Sequence, residues 1–150
     1  MTDQPEHRLY GQSSNLFLTR KAAEDLLIFG GVAEDASRWT LILSYRAAQM
    51  IWFHLTKLLY PDKADMVTAL VSTAPLRSTN IPSITTHATV SKKAAAEKAK
   101  DKYFIHGRAP NNTWEIGLTD YEAHRLWTVL DVALFPTGWQ QEKPAPDDEI

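Results

Sequence analysis

The sequence predicts an α+β protein in which a unit of antiparallel strands closed by one helix occurs twice, giving two antiparallel sheets and two main helices. Three observations carry that expectation. Trp39 to Pro61 aligns without a gap to Trp114 to Pro136, 75 positions further on. In both copies apolar residues alternate and then change to helical spacing. A hydroxyl residue stands where the spacing changes, and a proline closes each copy.

Seven aligned positions are identical: Trp39/Trp114, Leu43/Leu118, Ala48/Ala123, Trp52/Trp127, Leu55/Leu130, Leu59/Leu134 and Pro61/Pro136. Leu41/Ile116, Ser44/Thr119, Ile51/Leu126 and Tyr60/Phe135 are close replacements. Accidental similarity over such a window gives one or two identities, so an internal repeat is the organising feature. Alternation through Trp39, Leu41 and Leu43, and through Trp114, Ile116 and Leu118, has the period of a half-buried strand. Ser44 and Thr119 then sit at the N-cap, where a hydroxyl oxygen accepts an unpaired helix N–H. Ala48, Ile51, Trp52, Leu55 and Leu59 form one helix face, as do their partners in the second copy. Pro61 and Pro136 stop both helices.

Taken in order, residues 1–7 are expected to be disordered. Leu9 to Gly11 and Asn15 to Lys21 read as short strands, the second with Leu16 and Leu18 set against Phe17. Leu26 to Gly31 is a further apolar run, joined to the Trp39 strand as a hairpin across Ala33 to Arg38. Good helix formers at Ala22, Ala23, Glu24 and Leu26 offer a helix over Arg20 to Phe29 as the alternative. The resemblance of the two copies favours strands.

Beyond the first repeat helix, Asp62 to Thr73 reads as a short helix capped by Asp62, and Pro75 and Pro82 bracket a linker. Ile84 to Lys93 reads as one strand, with Ile84, Thr86, Ala88 and Val90 opposite Thr85, His87 and Thr89. Val90-Ser-Lys-Lys-Ala-Ala echoes Leu18-Thr-Arg-Lys-Ala-Ala at a spacing of 72. Lys102 to Arg108 pairs with Thr113 to Leu118 across the turn-forming Ala109-Pro-Asn-Asn112. The expected division is half one over 8–61, an insert over 62–82, half two over 83–139 and an acidic tail over 140–150.

The chain has 150 residues, of which 44% are hydrophobic, enough for one packed domain. It has no cysteine, which removes disulfide and thiolate chemistry. No apolar run approaches the length needed to span a bilayer, and Met1 to His7 lacks a signal-peptide pattern. A cytoplasmic protein without a membrane partner is the expectation. A formal net charge of −2 conceals an uneven distribution, with lysines crowded between Lys92 and Lys102 and acids at Asp147, Asp148 and Glu149.

The lysine-rich stretch supplies the sharpest functional signal. Lys92, Lys93, Lys98, Lys100 and Lys102 lead into a strand whose alternation puts Lys102, Phe104, His106 and Arg108 on one face. Cations displace the counterions of phosphates, and an aromatic ring between them stacks on a base, which is what single-stranded nucleic acid requires. Arg20, Lys21, Arg8 and Tyr10 extend the surface from the first half. The repeat tryptophans fall in phase with the aliphatic positions and are assigned to the core. Met50 and Phe53 lie off the shared helical stripe, so a further helix or another subunit is expected to cover them, and a homo-oligomer follows. The tail ending in Asp147 and Asp148 suits a protein partner.

The pattern over residues 8 to 139 resembles the Whirly family, and more distantly the Pur-alpha and PC4 types of single-strand binders. Leu16-Phe-Leu-Thr-Arg-Lys, then Leu26-Leu-Ile-Phe, strand, Ser44 cap and helix is similar to the first Whirly half. Trp114 to Trp139, ending Leu-Phe-Pro-Thr-Gly-Trp, is similar to the second. The string nearest the family's Lys-Gly-Lys-Ala-Ala-Leu signature is Lys92-Lys93-Ala94-Ala95-Ala96, which lies in the second half. The resemblance implies sequence-tolerant binding of single-stranded DNA or RNA. The alternative is a non-enzymatic interaction module on the same scaffold.

Enzymatic activity, metal and cofactors are not expected. His7, His54, His87, His106 and His124 form no short-spaced ligand pair, and no glycine-rich phosphate loop or nucleophile context is present.

Overall fold

The computed structural model of the chain describes residues 6–21, 26–63, 84–93 and 102–135. In chain order these form β1 (Glu6–Gln12), β2 (Ser14–Lys21), β3 (Leu26–Val32), β4 (Arg38–Ser44), α1 (Tyr45–Leu59), a 3-10 turn (Pro61–Lys63), β5 (Ile84–Thr85), β6 (His87–Lys93), β7 (Lys102–Ala109), β8 (Asn112–Thr119) and α2 (Asp120–Leu134). The class is α+β. No helix among the described residues is long and apolar enough to cross a membrane.

Each copy follows the local grammar of the sequence. The Ser44 hydroxyl accepts from Ala47 N at 3.0 Å, and the Thr119 hydroxyl accepts from Glu122 N at 3.2 Å, so both helices start on a side-chain cap. They end alike, Tyr60 N donating to Thr56 O and Phe135 N to Asp131 O. Leu26 to Val32 is a strand, which removes the helical alternative. The insert helix from Asp62 appears only as the Pro61–Lys63 turn, and its remainder lies outside the described residues.

The sheets depart from expectation. They run β2-β3-β4-β5 and β1-β8-β7-β6, and each is mixed: β5 pairs parallel to β4, and β1 parallel to β8. The two sheets are therefore not purely antiparallel. The expected single strand over 84–93 breaks at Thr86 into β5 and β6, and residues Glu6 and His7, expected to be disordered, are paired in β1. The reason is common to both: the first strand of each half leaves its own hairpins and joins the sheet of the other half. A parallel partner is remote in sequence, so local turn signals do not announce it.

Both crossings are pinned in the same way. Trp39 Nε1 donates to Ser13 Oγ at 3.1 Å, and Trp114 Nε1 donates to Thr85 Oγ1 at 2.8 Å, with Ser13 and Thr85 each 1% exposed. The indoles fit because the facing strand offers no side chain: a Cβ on Gly31 would lie 2.9 Å from Trp39, and one on Gly107 would lie 2.1 Å from Trp114. The helices exchange sides too. α1 packs beneath β6 and α2 beneath β2, while the helices meet each other.

At that helix junction Trp52 Nε1 donates to Asp131 Oδ1 at 3.1 Å, and Trp127 Nε1 to Thr56 Oγ1 at 2.7 Å. Thr56 and Asp131 are themselves repeat partners, so the two bonds are reciprocal. Trp39, Trp52 and Trp114 are buried as expected and Trp127 half-buried. Met50 and Phe53 are only half-exposed, and Met50 faces a cavity beside His87 and Ala88. The helix expected over Asp62 to Thr73 as one cover for this face lies, beyond Lys63, outside the described residues.

Two outcomes follow. Thr85→Val keeps the shape but leaves the buried Trp114 indole N–H without an acceptor, so denaturant unfolding should show a loss of about 1–3 kcal/mol. Separately, burial and then the nearby Lys57 ammonium push the His54 imidazole below its ordinary value, so the fold prefers it neutral. The stability linked to that preference is present above the unfolded value near 6.5 and is lost as pH falls through the lower folded value. Unfolding midpoints should drop as pH falls below about 6.5, and His54→Gln should flatten that drop.

Candidate nucleic-acid interface

β7 alternates as its sequence implies. Tyr103, Ile105, Gly107 and Ala109 are buried, while Lys102, His106 and Arg108 are exposed and Phe104 half-exposed. Alternate residues along an antiparallel strand are about 6.8 Å apart. Lys102, Phe104, His106 and Arg108 therefore form an outward line of about 20 Å along one strand.

Register adds neighbours from both sides. On β6, Lys93 stands beside Lys102, Ser91 beside Phe104, Thr89 beside His106 and His87 beside Arg108. On β8 the same line meets Thr119, Gly117, Glu115 and Thr113. β1 then sets His7 beside Thr113 and Leu9 beside Glu115. The Phe104 ring lies over Gly117, where a Cβ would sit 3.4 Å from it, so a glycine seats the aromatic on the sheet. Glu115 is the one carboxylate on this face among the described residues, and its Oε1 lies 3.4 Å from His106 Nδ1. Lys93, Lys102 and Arg108 thus outnumber the acid, and the acid is partly engaged.

Other sequence-predicted residues lie elsewhere. Lys92 pairs with Tyr103 in register, which puts it on the opposite face from Lys93, its Nζ 5.8 Å from the Tyr103 ring centre. Arg20 lies over Tyr45 at 4.7 Å and donates to Ala133 O at 3.3 Å, so it ties β2 to the ends of the helices. Lys21 is exposed on the other sheet. Tyr10 stacks on Trp39 with 5.3 Å between ring centres. Arg8 alternates with His7 and so falls in the opposite phase. Lys98, Lys100, Asp147 and Asp148 lie outside the described residues.

His7, His87, Thr113 and Leu9 join the face without having been singled out for it. Strand alternation had set His87 with Thr89, which is a usable signal. His7 and Leu9 arrive through the parallel β1–β8 pairing, for which the sequence holds no local mark. Among the described residues no group of three His, Cys, Asp or Glu side chains is placed to hold a metal ion. Compared with known proteins, the chain matches no family model, no curated protein and no solved structure.

Proposed function

We propose that the chain binds single-stranded DNA or RNA, with little sequence preference, on the outer face of the β1-β8-β7-β6 sheet. The observation that carries this reading is the half-exposed Phe104, seated on Gly117 between Lys102 and Arg108 with Lys93 alongside. The ring offers a π-face to any base, and the flanking cations meet phosphates without reading base edges. Short polar Ser91, Thr89 and Thr119 around the ring leave room for an unpaired strand, whose bases are open to stacking as those inside a duplex are not.

Fluorescence anisotropy with a labelled mixed-sequence oligonucleotide tests this. Affinity should fall as salt rises, with a log–log slope of about −0.7 per phosphate contact. Lys102→Ala combined with Arg108→Ala should reduce that slope, and Phe104→Ala should cost about 1–3 kcal/mol while leaving it unchanged. Absence of binding at low salt would sink the proposal.

A second reading, a non-enzymatic module that self-associates, is favoured by one observation on the other sheet. There the outer face carries Phe17, 48% exposed, with half-exposed Leu26, Ile28, Val32 and Ile42. Sedimentation across the micromolar range should then show a concentration-dependent dimer that Ile28→Lys dissociates. A monomer at every concentration removes this reading and leaves the first intact.

A further inference from the structure

The end of the proposed binding face nearest the β7–β8 turn differs in character from the rest. One row of the sheet there runs His87 on β6, Arg108 on β7, Thr113 on β8 and His7 on β1. These four residues line a common open cavity of about 490 Å³, together with His106 from the next row and the apolar Met50, Ala88 and Trp114, and no carboxylate lines it. Each flanking imidazole is held at one nitrogen by a threonine hydroxyl: His7 Nδ1 lies 2.5 Å from Thr113 Oγ1, and His87 Nδ1 3.0 Å from Thr86 Oγ1. The second nitrogen of each ring, and the Arg108 guanidinium, have no protein partner among the described residues.

We infer that this cavity is a phosphate-monoester site, and, taking the single-strand reading as its basis, that it receives the terminal phosphate of a bound strand. Internal phosphodiesters carry one charge each and are met by single cations such as Lys102, spaced along the strand. The corner instead brings to the lining of one cavity a guanidinium with five N–H donors and, from the two edge strands, two imidazoles each held at Nδ1. A monoester offers three acceptor oxygens and a charge of about −1.5 to −2 near pH 7, which suits a cavity lined by several donors and no carboxylate. Position agrees with chemistry. The line from Lys102 through Phe104 ends at Arg108, and beyond it the chain turns at Pro110 and Asn111, so the cavity stands at the end of the outward line. Metal ligation is not the better account, because these histidines do not form a three-ligand group and lack an acidic partner in the cavity.

The discriminating experiment compares three otherwise identical labelled oligonucleotides, with a 5′-phosphate, a 3′-phosphate or hydroxyls at both ends, by anisotropy at fixed salt. One phosphorylated end should bind at least about fivefold tighter than the hydroxyl-ended strand, a difference of about 1 kcal/mol. The double variant His7→Gln, His87→Gln should abolish that ratio, its unfolding midpoint serving as the control for folding. A ratio that survives the double variant overturns the inference. Inorganic phosphate, titrated against protein with 15N-labelled histidine, forms the independent arm. If no oligonucleotide binds yet phosphate shifts the His7 and His87 ring signals, the single-strand reading falls and the site stands with free phosphate or a small monoester as its ligand. A ratio of one together with unmoved ring signals overturns the site itself.

Discussion

The arrangement rests on two buried hydrogen bonds at the places where the chain changes sheets. At Ser13 and at Thr86, next to Thr85, the backbone leaves one sheet and enters the other, and a strand in transit cannot satisfy its polar groups through either ladder alone. The indoles of Trp39 and Trp114 meet the hydroxyls there. Nearby, Ser13 N donates to Gly117 O and Thr86 N to Arg108 O, which stitch each crossing to the β1-β8-β7-β6 sheet. Each tryptophan also needs a glycine on the facing strand, so Gly31 and Gly107 belong to the same device. Replacing either glycine brings a side chain against a ring already packed to interior density.

Exchange of strands makes the halves interdependent. β1 completes the sheet formed by the second half and β5 the sheet formed by the first, while α1 and α2 each lie against a strand of the opposite half. The Trp52–Asp131 and Trp127–Thr56 bonds close the same exchange at the helices. Neither half retains a complete sheet or a covered helix without the other, so the described elements should unfold together. Many of the contacts are remote in sequence, which places formation of the sheets late relative to the helices.

What the sequence disclosed and what it withheld divide along this line. Trp39 to Pro61 and Trp114 to Pro136 announced strand, cap and helix because those signals are local: alternation, a hydroxyl at the cap, a stop at proline. Lys102 to Arg108 was legible for the same reason. The mixed character of the sheets was not, since the partners of β1 and β5 are set by the crossing and not by a turn. The side taken by Lys92 followed from its phase with Tyr103, and a run of adjacent lysines obscures phase because its members alternate faces. Arg20 read as a surface cation, yet its guanidinium spans to α2, a contact between segments more than a hundred positions apart.

The repeat also shows where chemistry can reside. Gly31 and Gly107 occupy matching places beneath their tryptophans, which sets Val32 against Arg108 as the next residue of each strand and Arg38 against Thr113 as its cross-strand neighbour. Continuing along the same strands sets Ile28 against Phe104 and Leu26 against Lys102. Along β3 the outward Leu26, Ile28 and Val32 are aliphatic, and along β7 the matching Lys102, Phe104 and Arg108 are cationic or aromatic, although both strands bury the same kind of inner face. Core positions of the two copies resemble each other because the crossings, caps and helix junction impose the same demands twice. Outward positions bear no such demand and so are free to diverge, and Arg108 and the ring nitrogens of His7 and His87 lie on the cationic surface.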